Sequence, residues 1–423
     1  MNKIRNRFGE IMILERKAIA KLQAIIAIVI IVVVVVAGGT YYYFVSTPAL
    51  PAEIKIGVNL PLTGYQANDG QMGRDGALLA AQHINDNGGV LGKKLALVIG
   101  DDESKPDKAA ALMERLITLD NVVAVVGGVV STLEVVTIDI THRYGIPQIV
   151  TTAVAEEITS RRYGNVFRTC GLPVEWGVAE AEFLNETVKP ETIAMLVQDS
   201  TIWWQISDAF VQSLQEVAPE ITIVSKQYVS AGSTEFTPVL TEMLAKNPDI
   251  ICSWFTAVAN AALREQLREL DPDIPQIMGN FIWNTEEYLE MVGGAVGELT
   301  TFGERFTKAP YTSKTIPFWD AYVEAYGKNP SGVSADLYQG VLLIAEAIER
   351  AGSVDPEKII NALEENEFEG IYGEIRFQPR TIGTVTHIHQ YSPDPAVLFL
   401  QIQGGEPKVV FPSSLKSADW QSG

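Results

Sequence analysis

The chain has few cysteines and histidines for its length. Of its 423 residues only two are cysteines, Cys170 and Cys252, and four are histidines. An oxidising exterior would therefore allow one disulfide at most, and two buried free thiols fit the spacing equally well. His387 and His389 stand two residues apart on an expected strand and share a face. No Cys or carboxylate cluster completes a metal site there, so no metal and no other cofactor is predicted.

Positive charge and catalytic motifs are also scarce. The chain has 32 Lys and Arg against 52 Asp and Glu, a net charge of −20. Nucleic-acid binding needs a basic surface, so no nucleic-acid partner is predicted. The sequence has no Gly-x-x-x-x-Gly-Lys-Ser/Thr loop and no Gly-x-Ser-x-Gly elbow. No Ser/His/Asp arrangement is supported by its context either, so the chain is not expected to be an enzyme.

The amino terminus differs in character from the rest. Residues 1–21 hold six basic and two acidic side chains, a net charge of +4, and Leu22–Val45 is an apolar stretch without charge that is long enough to cross a bilayer. Tyr41 to Phe44 would form an interfacial aromatic belt, and the basic flank places the N-terminus inside the cell. The sequence thus predicts a cytoplasmic N-terminus, a transmembrane anchor or signal sequence at 22–45, a stalk at 46–52 and an extracytoplasmic remainder.

A cleaved signal peptide is the alternative to an anchor. Ala37 and Gly39 would suit a cleavage site. The apolar run, however, is longer than the roughly 7–15 residues of a signal-peptide core. An uncleaved single-pass anchor is therefore favoured.

The stretch Asn121–Thr132 organises the region that follows. It begins with β-branched residues typical of a strand buried on both faces, breaks at Gly127-Gly128, and delivers Ser131 and Thr132 to the start of a helix. Hydroxyls and free N–H groups at a helix start can hold an anionic group. Ligands of open α/β sheets sit at the carboxyl ends of the strands. Either these residues form a small polar pocket, or they only cap the helix.

Strands and helices alternate on both sides of this stretch, which predicts βαβ units and parallel sheets. A first set runs from Ile54 to Ala153, and a second set of the same class runs from Val174 to Val292. After Gly297 the pattern loosens into three helices. Near the end, Thr384–Tyr391 and Val397–Ile402 are predicted to pair as an antiparallel hairpin.

Several segments together resemble one family. They are Ile54–Gly64, Gly70–Ala81, Ile84–Asp102, Val126–Thr132, Ala153–Tyr163, Phe167–Gly171, Glu186–Pro190 and Gly232–Leu240. In this order they resemble the type I periplasmic solute-binding proteins of the leucine/isoleucine/valine-binding family, across roughly residues 53–411. The resemblance implies two Rossmann-like lobes with parallel sheets, joined by a three-strand hinge that closes on a solute.

The resemblance also implies boundaries and partners. The chain would cross between the lobes near Phe167–Gly171, Leu299–Thr307 and Glu374–Pro379. Lobe 1 would then comprise 53–168 and 303–376, lobe 2 would comprise 169–302 and 377–412, and 413–423 would be a tail. The closed form would dock on the permease of an ATP-driven (ABC) importer.

The family's binding residues map onto named positions. Ser131 and Thr132 would hold the ligand carboxylate, the turn Thr152-Ala153-Val154 would offer backbone groups, and Trp203 and Phe255 would cover the ligand. Three positions depart from the family: Phe281 replaces the acid that receives an α-ammonium, Asp69 replaces an aromatic, and Val154 replaces a hydroxyl residue that normally helps to bind. An ammonium left unpaired in a closed cleft costs several kcal/mol. Either Asp69 takes over the cation, or the ligand is not an α-amino acid.

The sequence therefore supports a membrane-tethered binding protein of an ABC importer for branched-chain or other hydrophobic amino acids. The same fold binding an amide, urea or aromatic carboxylate is one alternative. A sensor ectodomain is the other, although about 20 residues on the inner side are too few for an output domain. Neighbouring permease and ATPase genes would favour transport, and a neighbouring kinase gene would favour sensing.

Overall fold

A computed structural model of the chain describes residues 21, 28–36, 50–230, 232–281, 285–293, 296–382, 385–391 and 397–422. Two compact units are present, Met1–Pro51 and Ala52–Gly423. In the first unit, residues 28–36 form a helix (α1) of exposed Ile and Val side chains. Most of the predicted span at 22–45 lies outside the described residues. Within the described part of the chain, no helix combines the length and the apolar character needed to cross a membrane.

The second unit contains two seven-stranded sheets. The first sheet has the order β13-β14-β5-β4-β3-β1-β2, in which β1 to β5 are parallel and β13 is antiparallel to β14. Its strands are β1 (Glu53–Leu60), β2 (Lys94–Asp101), β3 (Ala124–Gly127), β4 (Gln148–Val150), β5 (Val166–Arg168), β13 (Gln378–Ile382) and β14 (Val385–Gln390).

The second sheet repeats this plan with the order β16-β15-β10-β9-β8-β6-β7. Strands β6 to β10 are parallel, and β15 is antiparallel to both β10 and β16. Its strands are β6 (Thr192–Gln198), β7 (Thr222–Val229), β8 (Ile250–Trp254), β9 (Gln276–Phe281), β10 (Thr300–Glu304), β15 (Leu398–Gln403) and β16 (Glu406–Phe411). A short separate ladder joins β11 (Phe368–Glu369) and β12 (Glu374–Ile375).

Helices cover both faces of each sheet, as a parallel sheet requires. The first lobe has α2 (Ala67–Asp86), α3 (Pro106–Thr118), α4 (Ser131–Tyr144), α5 (Glu157–Ser160), α11 (Thr315–Tyr326), α12 (Gly332–Ala351) and α13 (Pro356–Glu365). The second lobe has α6 (Pro173–Phe183) with a π-helical turn at Leu184–Val188, α7 (Thr201–Val217), α8 (Thr237–Leu244), α9 (Ala257–Leu270) and α10 (Thr285–Val292). The chain thus has the two-lobe α/β architecture that its alternating pattern predicts.

The prediction that Thr384–Tyr391 and Val397–Ile402 pair as a terminal hairpin is wrong. Strand β14 lies in the first sheet, where it pairs with β13 and β5, whereas β15 lies in the second sheet beside β10. The last passage between the sheets therefore falls between Gln390 and Leu398, and not at Glu374–Pro379. The strand at 378–382 (β13), which was expected in lobe 2, pairs with β14 and so belongs to the first sheet as well. Each strand instead pairs antiparallel with its other neighbour in the chain, β14 with β13 and β15 with β16, and each also joins a distant strand, β5 or β10. Local spacing does not show which neighbour a strand takes.

The two cysteines are free and buried. Cys170 follows β5 and donates its thiol to the carbonyl of Ala153 at 3.3 Å, and Cys252 lies inside β8. Burial raises the pKa of the Cys170 thiol to about 11. Of the two readings that the spacing left open, the structure has two buried thiols.

The closest helix contact in the first lobe depends on a glycine. Gly76 in α2 faces α12 so closely that a Cβ atom at position 76 would stand 2.0 Å from the carbonyl oxygen of Ser334. Beside it, a Cβ at Gly73 would touch Leu337 at 3.2 Å. Only a residue without a side chain allows the two backbones to approach in this way.

Replacing Gly76 by Ala should destabilise the protein. The added methyl group forces α2 and α12 apart, and overpacking of this kind costs about 1–3 kcal/mol, more than the roughly 1 kcal/mol that Ala gains in helix propensity. Gly164→Ala is the matched control, because a Cβ at 164 meets no atom within 4 Å. Urea unfolding of both variants is the measurement. Equal stability of the two would contradict the close packing.

Candidate functional site

The carboxyl ends of β1, β3 and β4 meet at one edge of the first sheet, and α4 begins there. Val130 at the N-cap makes no side-chain capping bond, and its carbonyl accepts from the N–H groups of Leu133 and Glu134. The N–H groups of Ser131 and Thr132 have no partner among the described residues. This helix start therefore presents free backbone donors where a parallel sheet binds its ligands.

The Ser131 hydroxyl is already part of a local network. Its Oγ accepts hydrogen bonds from the backbone N–H groups of Val154 and Ala155, both at 3.1 Å. A hydroxyl has two acceptor positions and one proton, so these bonds leave Ser131 as a donor. The side chain ties the β4–α5 loop to the start of α4 and can still donate to a carboxylate.

The turn Thr152-Ala153-Val154 is engaged more fully than the sequence suggested. The Ala153 N–H donates to the Gly128 carbonyl at 3.1 Å, and the Val154 N–H donates to Ser131. The Thr152 hydroxyl donates to Asp336 Oδ2 at 3.0 Å. The groups expected to bind a ligand here thus hold the turn itself in place, and their role in ligand binding stays a prediction.

Thr152 leads into a buried ionic network that sequence reasoning missed. Asp336 on α12 accepts from Arg305 Nη2 at 2.8 Å and from the Tyr372 hydroxyl at 2.8 Å. Burial raises the pKa of Asp336 to about 6, although Arg305 and its hydrogen bonds favour the charged form. Arg305 Nη1 has no partner among the described residues. The signal was charge within two largely apolar stretches, Glu304-Arg305 in FGERF and Asp336 in SADLY.

The predicted residues of the second lobe are placed differently. Phe255 is 1% exposed and packs edge-on against Phe236, so its ring belongs to the core of the lobe. Trp203 is half-buried and packs against the core formed by α6 and α7. The Phe281 side chain lies outside the described residues, and Asp69 is half-buried in the first turn of α2.

Trp254, another aromatic residue of the second lobe, is part of its core. It is fully buried against Phe210, with ring centroids 5.2 Å apart. A Cβ atom at Gly279 would stand 2.0 Å from Trp254 Nε1 and 2.5 Å from Glu180 Oε2. Burial raises the pKa of Glu180 well above its usual value. Glycine at 279 therefore makes room for two large buried side chains.

A cavity of about 860 Å³ lies between the lobes and brings Ser131, Thr132 and Val154 together. Opposite them stand the start of α6 and one face of α7. The lining residues are Ser131, Thr132, Val154, Ala155, Glu156, Glu157, Ser160, Leu172, Pro173, Val174, Ile202, Gln205, Asp208, Ala209, Gln212, Val385 and His387. The volume is typical of small-molecule sites. Three of the nine predicted site residues line this cavity.

A buried carboxyl group lies directly behind the Ser131 loop. Glu134 accepts from Asn59 Nδ2 at 3.0 Å, from the Thr137 hydroxyl at 3.0 Å and from Gln148 Nε2 at 2.7 Å. A Cβ at Gly128 would stand 1.9 Å from Glu134 Oε1. Burial raises the pKa of Glu134 to about 7, and the hydrogen bonds only partly oppose this.

In the described part of the chain, no three His, Cys, Asp or Glu side chains lie close enough together to hold a metal ion. The two strand histidines have separate partners. His387 Nδ1 lies 2.9 Å from the Thr159 hydroxyl. His389 stacks on Phe167 and pairs with Glu364 at 2.8 Å.

The fold and the cleft between two lobes are those of a periplasmic binding protein. The model of the periplasmic binding protein family matches residues 53–411, and the chain belongs to this family. Its resemblance to the leucine/isoleucine/valine-binding group is confirmed. Because the family consists of solute-binding proteins, the chain is a binding protein of this type and not an enzyme.

Two curated relatives are amino-acid-binding proteins. A leucine-, isoleucine-, valine-, threonine- and alanine-binding protein of Pseudomonas aeruginosa is 31% identical over 339 residues, covering 80% of this chain and 89% of that protein. A Leu/Ile/Val-binding protein of Rhizobium johnstonii is 28% identical over 349 residues, covering 80% and 89%.

Solved structures share the fold. The isoleucine complex of a branched-chain amino acid transporter binding protein, LivJ of Streptococcus pneumoniae, superposes with a TM-score of 0.70 at 24% identity, covering 84% of this chain and 97% of that one. A putative branched-chain amino acid ABC transporter protein of Silicibacter pomeroyi reaches 0.75 at 22% identity, covering 88% and 99%.

Stability should depend on pH through Glu134. Its folded pKa of about 7 exceeds the ordinary 4.5, so between these values the folded state holds a proton that the unfolded state has lost. The free energy of unfolding should therefore fall as pH rises from 4.5 to 7, by on the order of 2 kcal/mol from this group. Urea unfolding across this range measures the slope.

Glu134→Gln should remove that part of the slope, whereas Glu114→Gln, which alters an exposed ion pair with Arg143, should leave it. Asp102, whose pKa burial raises to about 6, contributes in the same direction and remains in both variants. A constant stability difference between wild type and Glu134→Gln from pH 5 to 8 would show that Glu134 does not titrate in this range.

Proposed function

We propose that this chain is the extracytoplasmic solute-binding protein of an ABC importer and captures a small carboxylate-bearing solute, such as a branched-chain or other hydrophobic amino acid. The observation that carries the proposal is the cavity between the lobes, with the donors of Ser131 and Thr132 at one end. Family membership and the names of the relatives support the solute class. The three passages between the sheets support closure by a hinge.

The cavity offers complementary surfaces for such a solute. The solute carboxylate would receive the N–H groups and hydroxyls of Ser131 and Thr132 at the positive end of the α4 dipole. Leu172, Val174 and Ile202, which also line the cavity, would contact its apolar part. Trp203 and Phe255 would cover the ligand only after a rearrangement, since both now pack in the second lobe.

The cationic group of an amino acid has no assigned partner at position 281. Phenylalanine there offers no negative charge, and Asp69 is the proposed substitute from the first lobe. If Asp69 does not serve, the solute is a carboxylate or amide without an α-ammonium. Because Phe281 stands where the family has an acidic residue, an amide, urea or aromatic carboxylate is the second candidate for the solute.

Calorimetric titration of residues 52–423 with branched-chain amino acids, amides, urea and aromatic carboxylates tests the function. A solute at 100 times its dissociation constant should also stabilise the protein by about 2.7 kcal/mol. For the solute that binds, Ser131→Ala should weaken affinity at least tenfold because a donor to the carboxylate is lost. Thr132→Val should weaken it severalfold.

The two variants separate binding from folding. Ser131→Ala also frees the N–H groups of Val154 and Ala155 and should lower stability, whereas the Thr132 hydroxyl has no hydrogen-bond partner among the described residues. Ser213→Ala, on α7 and outside the cavity lining, is the control. Unchanged affinity in both Ser131→Ala and Thr132→Val would rule out carboxylate binding at the start of α4.

We further propose that the apolar segment 22–45 tethers the protein to the membrane with its N-terminus inside. The uncharged run and its basic flank support an anchor. Mass spectrometry of the mature protein, after alkaline extraction of membranes, is the measurement. We expect an uncleaved N-terminus in the membrane fraction. An alkali-released protein beginning near Thr40 would instead show a cleaved signal peptide.

A further inference from the structure

The cavity between the lobes extends past Ser131 to a histidine that the carboxylate site does not use. His387 on β14 lines this cavity and is only 1% exposed. Its Nδ1 contacts Thr159 on α5. Its Nε2 has no hydrogen-bond partner among the described residues. A buried ring that lines a cavity and has only one of its two nitrogens engaged is a candidate ligand group.

The partners behind Thr159 determine which way its hydroxyl points. Arg168 is buried and donates from Nη2 to Thr159 Oγ1 at 2.8 Å, from Nε to Gln390 Oε1 at 2.6 Å and from Nη1 to the Ala155 carbonyl at 2.6 Å. A guanidinium has no acceptor. Thr159 Oγ1 must therefore accept from Arg168, and its own proton has to go elsewhere.

Two acceptors compete for the Thr159 proton. His387 Nδ1 lies 2.9 Å from Thr159 Oγ1, and Gln390 Oε1 lies 3.4 Å away. Hydrogen bonds from a hydroxyl to an oxygen are normally 2.5–3.0 Å long, so Nδ1 is the better acceptor. The positive charge of Arg168 also disfavours a proton on the side of the ring that faces it. The His387 proton then resides on Nε2.

The ring is also expected to be neutral. Burial, and after it the charge of Arg168, lower the pKa of His387 below its usual value of 6.5, with Arg380 acting in the same direction and Glu175 opposing. A neutral ring that accepts at Nδ1 has one N–H group, at Nε2. The cavity side of His387 therefore carries a single donor.

We propose that His387 Nε2–H binds a neutral acceptor oxygen of the solute, such as an amide carbonyl, while Ser131 and Thr132 hold its carboxylate. This inference rests on the proposed function and narrows its solute class. The charge of the cavity supports a neutral oxygen: its described lining includes the carboxylates Glu156, Glu157 and Asp208 and no Lys or Arg. A second solute carboxylate at this place would face like charges.

The tautomer is tested without any solute. Nitrogen-15 NMR of the full-length protein should show His387 with a protonated Nε2 and an unprotonated, hydrogen-bonded Nδ1 at pH 7. Thr159→Val keeps the side-chain shape and removes the donor, so the Nδ1 signal should lose its hydrogen-bond shift. A proton on Nδ1 in the wild-type protein would overturn the proposal.

The solute class is tested with shape-matched probes on the full-length protein. Asparagine and glutamine carry an amide carbonyl in the side chain, whereas the side chains of leucine and methionine have a similar shape without a carbonyl. His387→Leu should weaken binding of the amide probes at least fivefold more than binding of their apolar counterparts. His387→Gln, which places an amide N–H near the position of Nε2, should restore part of the loss. His83→Leu, outside the cavity, is the control.

The outcomes separate this inference from the proposed function. If Ser131→Ala weakens every probe and His387→Leu weakens the amide and apolar probes equally or not at all, the proposed function stands and the His387 assignment is wrong. If none of the probes and no other carboxylate binds the wild-type protein, the proposed function fails, and the carbonyl assignment fails with it even if the tautomer is as expected.

Discussion

The buried ion pair between Arg305 and Asp336 is the interaction on which the floor of the cleft depends. Arg305 follows β10, where the chain returns from the second sheet, and Asp336 lies on the central helix of the first lobe. The same carboxylate accepts from Thr152, in the turn after β4, and from Tyr372 (side-chain distances of 2.8 to 3.0 Å). Removing one member of a buried ion pair commonly lowers the free energy of unfolding by about 3–5 kcal/mol. The Asp336 carboxylate thus links the segment after β10, helix α12 and the turn after β4.

A second group of polar side chains acts on the other side of the same turn. Ser131 fixes the backbone after β4 by accepting two hydrogen bonds, and Glu134 fills the space behind Gly128. The turn after β4 is thus fixed by two groups, Asp336 through Thr152 and Ser131 at the start of α4. Its hydroxyls and N–H groups have fixed directions before any solute arrives, which lowers the entropic cost of binding.

Much of the fold was predictable because parallel sheets leave a strong local pattern. The alternating strands and helices predicted from Ile54 to Ala153 and from Val174 to Val292 are both observed. The terminal strands were assigned to the wrong partners, since β14 and β15 are close in sequence and belong to different sheets. Each of them forms a hairpin with its other neighbour, β13 or β16, and spacing alone does not show which neighbour a strand takes.

The candidate site was predictable to a lesser degree. Ser131 and Thr132 follow from the rule that polar residues after a buried strand meet at the sheet edge. Phe255 illustrates the opposite case: an aromatic at a strand end is as suitable for a core as for a ligand, and here it packs on Phe236. Asp336 and His387 gain their roles from Thr152 and Thr159, partners more than 180 residues away.

The distribution of tryptophan gives the two lobes different optical properties. Six of the seven indoles belong to residues 176–283 or to Trp420, which donates to Thr301 of β10, and only Trp319 lies on a helix of the first lobe. Most of the described indoles therefore lie in the second lobe, and most of the tryptophan fluorescence is expected to originate there. One of these indoles, Trp203, follows Ile202 of the cavity lining, so the fluorescence reports mainly on the second lobe and its side of the cavity.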